Sequence, residues 1–420
     1  MDISSRSFNR RTFTAAAGAG VAALAVGSLP AVAQEASPAA GGPPGLPPLP
    51  EGATVVATGL YNPVYIAFAD DGTMYVTERG VGGDEILDIV PPGAEEEATP
   101  VQDAVATPVV AEATPAEDVP PPSTRGYTGQ ITSVSPDGTQ TVVATELASY
   151  SDGAGPHGIA VQDGLVYFSI GGIAVSVGLE PLDGENGLHS LDPATGTVTR
   201  IAEFNTYEIE NNPDGTDVNP NLYAVSVGDS DGRVTVNDAG SNTIFSVDPA
   251  TGEFTLRGVV PDLNALTANF EEGAVTDEPP RQPVPTGGVF NGTSYFISLL
   301  SEFWPENGPS VLRVDGDGQF ASFTSVATGR SFVTGLAVGP NGQLYLSQLF
   351  DNPEGAPVGT IFRVNTGDST VEPVVEGLVM PHGIAFDGDG NLYVTVYTLM
   401  SAPGMPAGEV VRIDGIAAPA

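Results

Sequence analysis

A chain of 420 residues with 53 Gly, 38 Pro and no Cys has ample apolar content for a core, but no disulfide, thiolate metal site or thiol nucleophile. Its net charge of −39 comes from 52 acidic residues against 13 arginines and no lysine, with only 15% of residues charged. Such a surface repels polyanions, which excludes nucleic acid and anionic membranes as partners.

Residues 1–33 read as an export signal. Arg10 and Arg11 sit in Asn9-Arg10-Arg11-Thr12-Phe13, which resembles the twin-arginine motif, and an apolar run of small residues from Ala15 to Val26 follows. That run is too short and too mild to span a bilayer. Ala31-Val32-Ala33 is an A-x-A cleavage signal, so the mature chain is expected to start at Gln34 and to be periplasmic or extracellular. Residues 34–51 are a Pro/Gly/Ala-rich flexible lead. No later apolar segment approaches membrane-spanning length.

From residue 52 to 416 one unit recurs. Two apolar runs flank Asp-Gly or Asn-Gly at Asp71-Gly72, Asp163-Gly164, Asp231-Gly232, Asn291-Gly292, Asn341-Gly342 and Asp389-Gly390. These dipeptides are the strongest local hairpin signal and predict type I′ turns. A second hairpin follows each, as in Leu188–Thr199 and Ile244–Phe254. Four strands per repeat and six repeats predict an all-β fold, a six-bladed propeller. Ala53–Leu60 matches the last strand of a repeat, as at Thr141–Leu147, yet no repeat precedes it, and the final repeat ends at Gly415 without such a strand. The N-terminal strand is therefore expected to complete the last blade and hide two sheet edges.

The first interval is stretched by an acidic low-complexity insertion at about 91–124, in which Ala-Thr-Pro recurs; it is expected to be a disordered surface loop. Residues 205–219 and 262–284 read as smaller loops, with one or two helical turns at Leu263–Phe270. Residues 417–420 read as a tail.

The unit P-x-G-I-A-x–(D/N)-G-x-L-Y-V resembles NHL-type propeller repeats. Asn237–Glu253, Thr334–Gly342 and Gly59–Pro63 are further similar to blades of the ScyD/ScyE family. The resemblance covers roughly 52–416, leaves out the insertion, and implies an exported six-bladed propeller without a settled activity.

Two of only three histidines, His157 and His382, occupy the same repeat position before Gly-Ile-Ala. Alignment of the inner strands makes a ring of Val64, His157, Asn221, Thr286, Thr334 and His382 at one mouth of the channel. Imidazole is a common metal ligand and acid/base group, and some NHL-type lyases use channel-mouth histidines. The bland alternative is that Pro-His-Gly-Ile-Ala is a packing consensus. Glu78, Arg79, Asp238 and Gln348, just after the second strands, are possible supporting charges and polar groups, with Glu78 and Arg79 expected to pair. His189 falls in an outer strand and is expected at the surface. The Asp-Gly-Asp-Gly runs at 315–318 and 387–390 lack the spacing of a calcium loop. No cofactor is required by the sequence, and a metal ion is left open.

Three function classes follow. The first is a non-catalytic exported scaffold, expected to be a monomer, binding a small molecule or an extracytoplasmic protein. The second is a channel-mouth hydrolase or lyase using His157 and His382. The third is a cell-envelope structural or interaction protein working through its long loop.

Overall fold

The computed structural model describes residues 46–87, 122–229, 231–268, 281–301, 308–315, 320, 322–352 and 355–419. The segment expected to be an export signal, most of the expected lead and nearly all of the insertion lie outside them. Among the described residues no helix is long and apolar enough to cross a membrane.

The strands form six antiparallel sheets, the six blades of a propeller. Five sheets have four strands, and the first has five. Blade one holds Pro63–Phe68, Met74–Glu78, Thr124–Val134 and Gln140–Tyr150, plus the two-residue strand Glu85–Ile86 on its third strand. Blade six holds Ile384–Phe386, Leu392–Val396 and Gly408–Ile413, and its fourth strand is Ala53–Leu60 from the other end of the chain. That closing strand runs antiparallel to Gly408–Ile413, with Ala53 opposite Ile413, Val55 opposite Val411 and Leu60 opposite Gly408. The expected closure is thus the observed one.

Apolar residues lie on both faces of the inner strands because each blade is covered on both sides by neighbours. The core is accordingly divided into layers between blades. Ile159 and Phe168 of blade two pack with Val64 and Ile131 of blade one. Leu222 and Val236 pack with Leu188, Ile297 with Ile244, and Phe296 with Leu336 and Leu346. Ile384 and Leu392 pack with Tyr345, and Ala57, Leu60 and Val410 pack with Ile66 and Met74. Every blade needs two neighbours, so the ring is stable only when closed.

The predicted turns differ from the observed ones in kind. Only Asp163-Gly164 has positive φ at both residues, 53° and 78°. In the others only the glycine is left-handed. In the first hairpin Gly72 donates to the Ala69 carbonyl at 3.0 Å and Ala69 to the Thr73 carbonyl at 2.8 Å. That is a longer loop, a type I-like turn closed by a left-handed glycine, which Asp-Gly serves equally well. The stretch read as a loop at 205–219 begins with a helix, Asn205–Asn211. Tyr207 on it meets Phe245 and Phe254 edge-on at 5.3 and 5.6 Å, so burial of one ring orders what composition alone reads as a loop. The helical turns expected at Leu263–Phe270 are present over Leu263–Ala268. Ala417, expected in a tail, is fully buried and donates to the Gly390 carbonyl at 2.9 Å.

The described ends of the insertion are clamped together. Leu87 donates to the Ser123 carbonyl at 2.8 Å, and Glu85 pairs with Arg125 in the ladder. Replacing residues 88–121 by a short Gly/Ser linker is therefore expected to leave the thermal midpoint unchanged. A fall of more than a few degrees in calorimetry would mean that the insertion packs on the propeller.

Candidate functional site: the channel plug and the mouth above it

Strand pairing identifies the residues that are equivalent around the channel. Pro63 faces Glu78, Pro156 faces Ile170, Leu222 faces Asp238, Pro285 faces Leu299 and Val333 faces Gln348. The next residue in each blade makes the ring: Val64, His157, Tyr223, Thr286 and Thr334, with His382 completing it in blade six. Asn221 is not in it. Matching Pro220 to Pro156 displaces blade three by two residues, because Leu222, not Pro220, stands where the other blades carry Pro63, Pro156 and Pro285. The signal was available by counting back from the second strand, Val234–Asp238.

This ring is a plug, not an open mouth. Tyr223 from blade three reaches across the channel, its hydroxyl 2.7 Å from His382 Nε2 of blade six. Tyr65 of blade one crosses the other way, its hydroxyl 2.8 Å from the Thr286 carbonyl and 2.5 Å from that of Thr334. His157 stacks on Tyr223 at 4.2 Å between centroids, and the His382 ring lies beyond the Tyr223 hydroxyl, nearly parallel to it with centroids 5.7 Å apart. His157 and His382 are each 1% exposed. Nδ1 of His157 lies 3.1 Å from the Leu222 carbonyl and Nε2 lies 3.2 Å from that of Gly153. A neutral imidazole has one N–H, so one carbonyl is served at a time. Burial drives the His157 pKa down to about 3, with the nearby Arg79 charge adding to the effect. The same causes, in the same order, hold His382 well below its ordinary value. Both rings are neutral at physiological pH.

A second ring stitches the blades together around the plug, and sequence reasoning missed it. The second strands carry Thr77, Ser169, Asn237, Ser298, Ser347 and Thr395 at one repeat position. Thr77 donates to the His157 carbonyl at 2.5 Å and Ser169 to that of Tyr223 at 2.7 Å. The Asn237 amide donates to the Gly287 carbonyl at 3.0 Å, and Thr395 to that of Val64 at 2.8 Å. Ser347 donates to the His382 carbonyl. Between blades four and five Thr286 makes the bridge, donating to the Val333 carbonyl at 2.7 Å, while Ser298 accepts from Gly287 N–H. Short polar residues at all six equivalent sites were the signal. The Gly of His-Gly-Ile-Ala belongs to the same packing: a Cβ on Gly383 would come 2.2 Å from the Val64 carbonyl oxygen, and on Gly158 2.3 Å from Val225 N.

The supporting residues fall at the mouth, where second strands end and first strands begin. Glu78 and Arg79 do not pair. Successive strand residues point to opposite faces, so the Glu78 carboxylate takes Tyr61 N–H at 2.6 Å, Thr132 at 2.5 Å and the Gln130 amide at 2.9 Å. Arg79, 5% exposed, lies over the plug; its Nη1 donates to the Gly153 carbonyl at 3.0 Å and its Nη2 to that of Thr398 at 3.2 Å. One oxygen of Asp238 accepts from the N–H groups of Asn221, Gly240 and Ser241 at 2.8–3.0 Å. Burial nevertheless holds its pKa up. Asp238 thus braces the blade-three loop. Gln348 donates to the Phe350 carbonyl at 2.7 Å. His189 is not at the surface: it is 4% exposed and stacked on Phe168 at 5.3 Å. In the 387–390 run, Asp387 accepts from Asp389 N–H and Asn391 N–H, as a turn residue does.

Buried polar atoms without a hydrogen-bond partner occur at this end of all six blades. They include Arg79 Nε, Asp152 Oδ1, Asn221 Oδ1, Ser301 Oγ, Gln348 Oε1 and the Tyr397 hydroxyl, with His382 Nδ1 beneath. Phe332, Phe350, Leu399 and Met400 are half-buried apolar residues of the same end, packed on one core cluster. Phe332 and Tyr397 hold left-handed φ of 56° and 57°, which bulky residues rarely adopt and which marks strained functional surfaces elsewhere. Unpartnered polar groups and apolar side chains at one end of the channel are the ingredients of a small-molecule site. Among the described residues no three His, Asp or Glu gather as metal donors.

No protein-family model matches the sequence, and no curated protein matches it either. Solved propellers do. A streptogramin B lyase structure is 13% identical, covering 86% of this chain and 96% of its own, at a TM-score of 0.43. A gluconolactonase from Xanthomonas campestris is 12% identical, covering 90% and 98%, at 0.49. A Bacteroides thetaiotaomicron protein of unknown function is 12% identical, covering 86% and 75%, at 0.48.

Proposed function

We propose that the chain is an exported propeller of the ScyD/ScyE kind that acts as a binding scaffold, with the channel mouth above the plug as its ligand site. The twin-arginine-like start and the family-like blade at Asn237–Glu253 support export and kinship. The observation that carries the scaffold reading is that both repeat histidines are spent on the plug. They are buried, neutral and held against Tyr223, one by stacking and one by a hydrogen bond, whereas an acid/base group works best with a pKa near the operating pH.

A nitrogen-15 NMR titration of the imidazoles tests this. All three are expected to stay neutral from pH 8 down to pH 5; protonation of His157 or His382 within that range would return them to catalysis. The linkage has a definite sign. A base whose folded pKa lies below its unfolded 6.5 leaves the unfolded state binding more protons. The His157 contribution is therefore full above pH 6.5 and is lost as pH falls toward about 3. Asp152, raised to about 6 by burial, and Glu78, Glu185 and Asp238, all raised chiefly by burial, act oppositely at acid pH.

Asp152 favours a second reading. Burial pushes its carboxyl up to about 6, its Oδ1 has no partner, and it adjoins Gly153, whose carbonyl receives Arg79. A hydrolase or lyase at this mouth would take Asp152, not a histidine, as its acid/base group.

A further inference from the structure

We propose that Arg79 is an anion-binding residue at this mouth, and that the ligand it takes is a small organic carboxylate. The inference rests on the scaffold reading and names the chemistry of its ligand.

The argument begins with charge. Arg79 is a buried cation with no acidic partner among the described residues. Its neighbour in sequence, Glu78, is committed to Tyr61, Thr132 and Gln130. Other buried arginines show what pairing looks like here: Arg125 donates to Glu85 at 2.6 Å, and Arg257 pairs with Asp229. The groups that face Arg79 are Tyr65, Tyr223, His157 and His382, none of which carries charge at neutral pH. In a chain of net charge −39 with only 13 bases, a buried base facing no acid is conspicuous. Burying an uncompensated ion is costly, so this arrangement is most stable when an anion supplies the missing charge.

Donor geometry narrows the class. A guanidinium has five N–H groups. Two go to the Gly153 and Thr398 carbonyls, which leaves three, including the Nε–H, with no acceptor among the described residues. Nε–H and the Nη–H parallel to it form the fork that receives both oxygens of a carboxylate. The two carbonyl bonds hold that fork in place before a ligand arrives. Leu399 and Arg79 both flank Gly153, where a Cβ would lie 3.5 Å and 3.3 Å from them, so the charge sits beside the apolar rim. A charged head with an apolar body suits that pairing better than a fully hydrated inorganic ion.

The test uses the mature protein with acetate, acetamide and inorganic phosphate as probes. The Arg79 Nε–H resonance and the Leu399 and Met400 methyl resonances are followed by NMR, and the thermal midpoint is followed in parallel. Acetate is expected to shift the Arg79 Nε–H saturably and to raise the midpoint, while acetamide does neither. Arg79→Lys keeps the charge but loses the fork, and acetate is expected to bind it at least about tenfold more weakly. An Nε–H that does not move with acetate, or that moves equally with acetamide, overturns the proposal. So does a response to phosphate with acetate silent, which would make the site one for phosphate. Methyl shifts with acetamide alone would remove the anion site and leave the mouth as a binding surface. The imidazole titration decides the scaffold reading separately.

Discussion

Deletion of residues 1–58 is expected to abolish cooperative folding of the propeller. The lost segment holds most of the closing strand, whose register with Gly408–Ile413 supplies the fourth strand of blade six. Ala57, 1% exposed, leaves the layer it shares with Ile66, Met74, Val76 and Val410, and Leu60, 2% exposed, loses the strand that holds it there. Burial of a side chain such as Leu is worth about 1.5–3 kcal/mol. The deletion also bares the edge of blade six and unfastens it from blade one. Because every core layer lies between two blades, opening one junction weakens both neighbours. The total is comparable with the ~5–15 kcal/mol that holds a whole domain folded. Circular dichroism during heating should show no sharp transition for the truncated chain, and a peptide of residues 46–60 added in trans should restore one. A truncated chain that melts at the full-length midpoint would refute closure by this strand.

Tyr223→Ala is expected to cost about 3–5 kcal/mol, the range for removing a large buried ring. Three losses coincide. The ring leaves a cavity at the centre of the channel, His157 loses the face it stacks on, and His382 Nε2 loses its hydrogen bond at 2.7 Å. Tyr223→Phe keeps the ring and drops only the hydroxyl, so about 1–2 kcal/mol is expected. Chemical denaturation of the three proteins measures both. Equal costs for the two variants would mean that the hydroxyl, not the ring, holds the plug. A negligible cost for Tyr223→Ala would mean that the plug does not contribute to stability at all.

The propeller was legible because its signals are local and repeated six times. Asp-Gly and Asn-Gly between apolar runs mark hairpins wherever they occur, and Ala53–Leu60 resembles an outermost strand in its own side chains. The turn type was not legible, since one extra residue in the loop changes the φ angles while the dipeptide stays the same. The candidate site was legible in part. His157, Thr286, Thr334 and His382 do share one ring, but Asn221 stands two residues away from the place that Tyr223 takes. The proline of blade three stands two residues ahead of its counterparts, and strand pairing reveals it. His189 looked superficial because its strand is an outer one, yet Phe168 covers it.

By itself the amino-acid sequence determined the repeat, the strands, the closing of the ring and the acidic, lysine-free surface. Each of these depends on neighbours in the chain or on a count of charges. Only the tertiary structure decided that the two repeat histidines lie inside a plug and that Glu78 and Arg79 part company. The physical reason is that the channel is built from one or two residues of each blade, brought together across hundreds of positions. Tyr65 meets Thr286 and Thr334, and Tyr223 meets His382, only when six blades close around them.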